Sequence, residues 1–162
     1  MEDNAKVFIS YGDDEGAKTT VARFVEKLGL EAIILDEQPS AGLTGFEKFE
    51  KYGRIADFAI VLLTPDDVGS SKATGKLKPR ACQDVILEFG YLFLTLGGKR
   101  VFALYKEGVE LISDIPGLAY VCMDSENDWQ LKLEQAMRNV GMPVKCTRGG
   151  LSRDDKWCKC FM

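Results

Sequence analysis

Ala56-Asp-Phe-Ala-Ile-Val-Leu-Leu-Thr64 is the stretch of the 162-residue chain that decides the fold. Its centre is apolar at every position, so a strand formed here would bury both of its faces. Strands of this kind occur in the middle of parallel sheets that carry helices on both sides. The stretch therefore predicts the central strand of an α/β sheet.

Two shorter apolar runs precede this strand, at residues 6–10 and 32–35. Between them, the apolar side chains of residues 21–28 recur at the i, i+3, i+4, i+7 spacing of an amphipathic helix, and Gly29 marks its end. A polar loop at residues 36–43 follows. Thr44 and Glu47 then form a capping box for the next helix, from which we expect Phe46 and Phe49 to face the core.

The second half of the chain continues the alternation. Residues 65–79 read as a long loop without periodicity, residues 80–97 as a helix, and residues 100–105 and 119–123 as strands. A last amphipathic helix begins near Ser125, and its candidate core residues are Trp129, Leu131, Leu133, Ala136, Met137 and Val140.

Five strands that alternate with helices predict a flavodoxin-like, doubly wound, five-stranded parallel sheet with strand order 2-1-3-4-5. We expect one domain at residues 1–142. Residues 143–162 are richer in glycine and charge and hold three of the five cysteines, so we interpret them as a C-terminal tail.

The helix at residues 80–97 carries the most informative side chain. From Val85 to Leu96 it is nearly all apolar, and Glu88 is the only charge in that run. A carboxylate in apolar surroundings is costly unless it is paired or reaches a cleft. Ligands bind beyond the carboxyl ends of the strands in such sheets, where residues 10–14, 36–45 and 64–80 should meet. We therefore expect Glu88 at the centre of the chemistry.

Composition excludes several classes of function. The chain has no histidine, which excludes catalytic triads, general bases and metal sites that use a histidine side chain. A formal net charge of −4 argues against nucleic acid polymers and anionic membranes as partners. The cysteines lack framework spacing, and the acidic N-terminus does not resemble a signal peptide, so we expect a cytoplasmic protein. Cys146, Cys158 and Cys160 have no fourth ligand nearby, and we expect no metal.

Five motifs stand in this order along the chain: Val7-Phe-Ile-Ser-Tyr-Gly-Asp-Asp14, Leu35-Asp-Glu-Gln-Pro39, Phe46-Glu-Lys-Phe-Glu50, Ala59-Ile-Val-Leu-Leu-Thr-Pro-Asp-Asp-Val-Gly69 and Pro79-Arg-Ala-Cys-Gln-Asp-Val-Ile-Leu-Glu-Phe-Gly-Tyr91. Together they resemble the motifs of bacterial TIR domains, in particular the TIR effectors of anti-phage cyclic-nucleotide signalling systems, including those fused to STING-like sensors.

The resemblance implies the TIR fold for residues 1–142. It also implies an NAD⁺ nucleosidase that cleaves the nicotinamide–ribose bond, with NAD⁺ as substrate, no other cofactor, and linear or cyclic ADP-ribose as product. Glu88 matches the catalytic glutamate of the family, and the loop at residues 36–45 matches the loop through which its members self-associate. An upstream sensor domain or protein would supply the trigger. The candidate substrate-binding residues are Phe8, Ser10, Tyr11, Gly12, Asp13, Arg80 and Asp84. Among them, Tyr11 or Phe8 would stack on a base, and Arg80 or backbone amides near Gly12 would contact the pyrophosphate.

Two departures from the family pattern keep alternatives open. Tyr11 stands where relatives often carry histidine, and Cys82-Gln83-Asp84 stands where Arg-Gln-Asn is common. Asp84 and Glu88 are four residues apart and repel each other on a helix, which predicts a raised pKa of Glu88 or a changed ligand preference. The alternatives are a non-catalytic TIR–TIR scaffold and a nucleoside deoxyribosyltransferase-like enzyme, which shares the fold type and a carboxylate nucleophile.

Overall fold

The computed structural model describes residues 4–113, 115, 118 and 120–145. Strands and helices alternate along most of this chain. The elements are β1 (Lys6–Ser10), α1 (Glu15–Lys27), β2 (Glu31–Ile34), α2 (Gly45–Arg54), β3 (Phe58–Leu63), β4 (Asp67–Gly69), β5 (Lys78–Arg80), α3 (Gln83–Leu96), β6 (Val101–Tyr105), β7 (Tyr120–Cys122) and α4 (Asp128–Asn139).

The main sheet has five parallel strands in the order β2-β1-β3-β6-β7. Counted along the chain, this is the predicted order 2-1-3-4-5, and the flavodoxin-like fold is confirmed. All six residues of β3 are buried, as a strand with apolar side chains on both faces requires. Because the strands are parallel, Ser10 at the end of β1 lies beside Val61 of β3, close to the carboxyl edge of the sheet.

Two hydrophobic cores lie on opposite faces of this sheet. Alternate residues of β1 divide between them, since Val7 and Ile9 join the core under α1 and α4, whereas Phe8 joins the core under α2 and α3. This arrangement leaves the carboxyl ends of β1 and β2 next to the first half of α3.

Residues 65–79, predicted as an unstructured loop, instead contain part of a small hairpin. Asp67–Gly69 pairs antiparallel with Lys78–Arg80. The hairpin displaces the helix start, because Arg80 belongs to a strand and α3 begins at Gln83 with Cys82 as its N-cap. Alternation over only three residues on each side is too short to be visible in the sequence.

For two residues, the prediction that they lie in the core is wrong. Phe46 is 52% exposed at the start of α2, and Leu131 is 48% exposed on α4. A helix packed on a sheet buries only one stripe of its surface. Phe49 and Leu133, which were also predicted core residues, occupy that stripe and are buried. The same geometry exposes Leu87 and Leu94 on α3, although its composition suggested burial all round.

No helix in the part of the chain that the structure describes is long and apolar enough to cross a membrane. The boundary predicted at residue 142 stays a prediction, because most of residues 143–162 lie outside the described residues, together with Cys146, Cys158 and Cys160. Lys145 is described, and its backbone N–H donates to the carbonyl oxygen of Leu28 at 2.8 Å.

Candidate active site

A small cavity lies where the ends of β1 and β2 meet α3. Its volume is about 110 Å³. The lining residues are Phe8, Ile9, Tyr11, Gly12, Leu35, Asp36 and Glu88. Four of these were candidate site residues from the sequence, and the fold therefore brings Phe8, Tyr11, Gly12 and Glu88 together at the predicted edge of the sheet.

Helical spacing turns Glu88 towards the sheet. Val85, three residues before it, and Leu92, four residues after it, are both buried against the core. The side chain meets the end of β1, where the Ser10 hydroxyl donates a hydrogen bond to Glu88 Oε2 at 2.6 Å. Ser10 is only 1% exposed, so this donor is held in one place and orients the carboxyl group.

The environment raises the pKa of Glu88 above its ordinary value. Burial is the largest cause, and the charges of Asp84 and Asp36 act in the same direction. The hydrogen bond from Ser10 acts in the opposite direction, because it favours the ionised form. The sequence predicted the direction from Asp84 alone, whereas the structure adds burial as the larger cause.

Tyr11 connects the two strand ends that border the cavity. Its hydroxyl donates to Asp36 Oδ2. Lys18 Nζ lies 3.5 Å from the Tyr11 hydroxyl oxygen and 4.8 Å from the centre of the Tyr11 ring. Burial, followed by the hydrogen bond to Asp36, raises the pKa of Tyr11 to about 12. The phenol is therefore neutral at physiological pH and acts as a donor.

Gly12 allows the chain to pass close to the loop that follows β3. A Cβ atom at this position would lie 2.1 Å from Asp66 Oδ2 and 3.2 Å from Cys82 Sγ. The Asp66 carboxylate accepts hydrogen bonds from the Thr64 hydroxyl at 2.8 Å and from the backbone N–H of Asp13 at 3.3 Å. Any larger residue at Gly12 would displace this carboxylate.

Four candidate site residues are not among the residues that line the cavity: Ser10, which contacts Glu88 from the end of β1, and Asp13, Arg80 and Asp84. Asp13 is tethered through its backbone, and Asp84 is exposed in the first turn of α3, where it influences Glu88 only through its charge. The Arg80 side chain donates to Glu110 Oε2 at 2.6 Å. A pyrophosphate would have to compete with Glu110 for this guanidinium.

Phe8 lines the cavity from below. Its side chain is fully buried and packs edge to face on Phe49, with the ring centres 5.5 Å apart. This burial favours a role as a wall of the cavity, and it leaves Tyr11 as the ring with access to a ligand.

Sequence reasoning assigned Asp36 to a loop for self-association and missed it as part of the cavity. It lies in a single 3₁₀ turn (Leu35–Glu37) directly after β2. The signal was available, because a polar residue that follows a parallel strand lies at the carboxyl edge of the sheet. In the described part of the chain, no group of three or more acidic, cysteine or histidine side chains is arranged to hold a metal ion.

Comparison with known proteins gives a family match over most of the chain. A family model described as the TIR domain of CAP12/Pycsar effector proteins matches residues 6–125. The uncharacterized protein YuaY of Escherichia coli is 42% identical over 138 residues, which is 85% of this chain and 46% of that protein. Protein TirC of Dictyostelium discoideum is 31% identical over 128 residues, 72% of this chain and 63% of that protein.

A third relative and a structure extend the comparison. CD-NTase-associated protein 12 of Sphingobacterium faecium is 26% identical over 115 residues, 70% of this chain and 34% of that protein. These matches thus span from 34% to 63% of the relatives' own lengths. The CMP N-glycosidase BcmB of Clostridium botulinum superposes with a TM-score of 0.50 at 14% identity, covering 80% of this chain and 98% of that one. This likeness concerns the fold alone.

Proposed function

Because this chain belongs to the TIR domain family of the CAP12/Pycsar effector proteins, we propose that it is an anti-phage effector that hydrolyses NAD⁺ at the nicotinamide–ribose bond. Glu88 is the catalytic residue. The observation that carries the proposal is the position of the Glu88 carboxyl group, which lines a cavity at the carboxyl edge of the sheet and is oriented by the buried Ser10 hydroxyl.

The chemistry suits a chain without histidine. When the bond between C1′ and the pyridinium nitrogen breaks, the bonding electrons neutralise the ring, so nicotinamide leaves without a general acid. Positive charge develops on the ribose, as in glycoside hydrolysis, and a partly desolvated carboxylate stabilises it. Water then attacks C1′ and loses a proton, giving ADP-ribose; attack by the adenine ring instead gives cyclic ADP-ribose.

The size of the cavity supports activation by assembly. About 110 Å³ accommodates a sugar-sized group, whereas sites for whole ligands usually enclose about 300–1,000 Å³. The remainder of the dinucleotide would lie over the edge of the sheet. A second copy of the chain that contacts the loop at residues 36–45 would enclose it there, and Asp36 connects this loop to the cavity lining.

Exposed apolar side chains next to that loop also support self-association. Phe46 follows the loop directly and is 52% exposed. Its ring centre lies 6.4 Å from that of Tyr91 on α3, and Leu87, one turn earlier on α3, is also exposed. Apolar groups grouped in this way mark contact surfaces. A sensor domain or protein would trigger the assembly, and the greater length of the relatives is consistent with further domains.

The experiment is NAD⁺ hydrolysis by the purified chain at high concentration and with a crowding agent, with nicotinamide and both ADP-ribose products measured by chromatography and assembly by light scattering. We expect release that rises with assembly and is lost in Glu88→Gln. Glu107→Gln makes the same change at an exposed position away from the cavity and should keep the activity.

Other outcomes would favour the other functions. Assembly with no nicotinamide release under any condition would indicate a TIR–TIR scaffold. Exchange of nucleobases without cleavage of NAD⁺ would indicate a deoxyribosyltransferase-like enzyme. Release that persists unchanged in Glu88→Gln would refute the assignment of the catalytic residue.

A further inference from the structure

Among the described residues, the cavity is lined by two carboxyl groups and by no cationic side chain. Asp36 comes from the loop after β2 and Glu88 from α3, and no lysine or arginine is among the lining residues. The two side chains are close enough for the charge of Asp36 to contribute to the raised pKa of Glu88. A ligand group that enters this cavity therefore meets a second negative charge beside the one that the proposed reaction needs.

Three of the described cations, Lys18, Lys106 and Arg80, are engaged with carboxylates that do not line the cavity. Lys18 pairs with Glu15, and Lys106 pairs with Asp14, the N-cap of α1. Arg80, the arginine nearest to Glu88 in the sequence, pairs with Glu110. The negative charge of the cavity is consequently not neutralised by a side chain on its wall.

Tyr11 holds Asp36 without neutralising it. The Tyr11 hydroxyl donates to Asp36 Oδ2, and a neutral donor orients a carboxylate but leaves its charge in place. Lys18 Nζ lies 3.5 Å from the Tyr11 hydroxyl oxygen and 4.8 Å from the centre of its ring, and its ammonium group is shared with Glu15. Because Asp36 is held at the wall of a small cavity, its negative charge attracts a bound cation and repels a bound anion.

We propose that Asp36 is a specificity-determining residue, which makes the site select dinucleotides whose departing base is a pyridinium ring with an uncharged substituent and reject those whose departing base carries a carboxylate. This inference rests on the proposed function. The cationic ring is attracted by the pair of carboxylates, while a carboxylate on the ring is repelled by them.

Two dinucleotides make the comparison directly. NAD⁺ and nicotinic acid adenine dinucleotide differ only in the carboxamide or carboxylate on the pyridinium ring, so their ratio of kcat/KM reports the charge selection. For the wild-type chain we expect a preference for NAD⁺ of about fivefold, the size that one like-charge contact with an exposed carboxylate such as Asp36 produces. The same ratio is measured for the Kd values by equilibrium titration.

The test variant is Asp36→Asn, which removes the charge and keeps an oxygen that accepts from Tyr11. The preference for NAD⁺ should fall to about twofold or less. Glu37→Gln, an exposed neighbour in the same turn that does not line the cavity, is the matched control and should keep the wild-type ratio. General loosening of the loop would affect both dinucleotides alike, so it would leave the ratio unchanged.

The outcomes separate the two proposals. Failure of the wild-type chain to release nicotinamide under assembling conditions would refute the proposed function, and the Kd ratio would still decide the selectivity. Equal kcat/KM and Kd values for the two dinucleotides, no binding of either, or an unchanged ratio in Asp36→Asn would overturn the role of Asp36.

Discussion

Removal of the Ser10 hydroxyl tests the central contact of the candidate active site. In Ser10→Ala, Glu88 Oε2 loses the donor that lies 2.6 Å away, while the small side chain still fits its buried position at the end of β1. A hydrogen bond to a charged group contributes about 1.5–3 kcal/mol. Since about 1.4 kcal/mol is a factor of ten in rate, we expect kcat/KM for NAD⁺ to fall about 10- to 100-fold.

The pH profile gives a second readout with a defined sign. The hydrogen bond from Ser10 lowers the pKa of Glu88, against the larger effect of burial. Without the donor this pKa rises further. The acidic limb of the kcat/KM profile, where Glu88 must lose its proton, should therefore move to higher pH in Ser10→Ala, and part of the lost activity should return on the alkaline side.

The assay is the initial rate of nicotinamide release across the pH range, with thermal unfolding measured on the same samples. Ser71→Ala removes a hydroxyl from an exposed loop, where it contacts Thr74 Oγ1 at 2.8 Å, and should leave both rate and profile unchanged. An unaltered rate together with an unaltered acidic limb in folded Ser10→Ala protein would refute the idea that Ser10 orients the reacting carboxylate.

Three further predictions concern stability and assembly. Because the pKa of Glu88 is raised in the folded state, stability is lost as pH rises from the ordinary glutamate range through that raised pKa; Glu88→Gln should therefore melt about 2–4 °C higher than wild type at neutral pH, with no difference at pH values below the ordinary glutamate range. Gly12→Ala places a Cβ against Asp66 Oδ2, so it should lower the free energy of unfolding by about 1–3 kcal/mol. Gly45→Ala is the control, because its Cβ meets open space at the start of α2, and it should not destabilise the protein. Equal effects of the two substitutions in denaturant titrations would contradict this prediction. Phe46→Ser should raise the concentration needed for assembly about fivefold or more in light scattering, because truncation of a residue that anchors an interface costs over about 1 kcal/mol; an unchanged midpoint would exclude this side chain as an anchor of the contact.

The order and type of the main elements could be predicted because each is specified by neighbouring residues. An apolar run on both faces specified β3, and Thr44 with Glu47 formed the predicted capping box at α2. These signals depend on hydrogen bonds and side-chain periodicity within a few residues. The sequence also identified Glu88 as the only charged residue in an otherwise apolar helical run, and the predicted strand order located it at the carboxyl edge of the sheet.

The partners of these side chains were decided only by the tertiary structure. Ser10 and Glu88 are 78 residues apart in the chain, and the Arg80–Glu110 pair spans 30. No local pattern encodes such distances, because they depend on how β1 and α3 pack against the same sheet and on a three-residue hairpin. The sequence determined that a carboxylate would stand at the ligand edge of a parallel sheet. Packing determined that a buried hydroxyl orients it and that a second carboxylate, Asp36, shares its cavity, since burial and proximity arise only when separate segments meet.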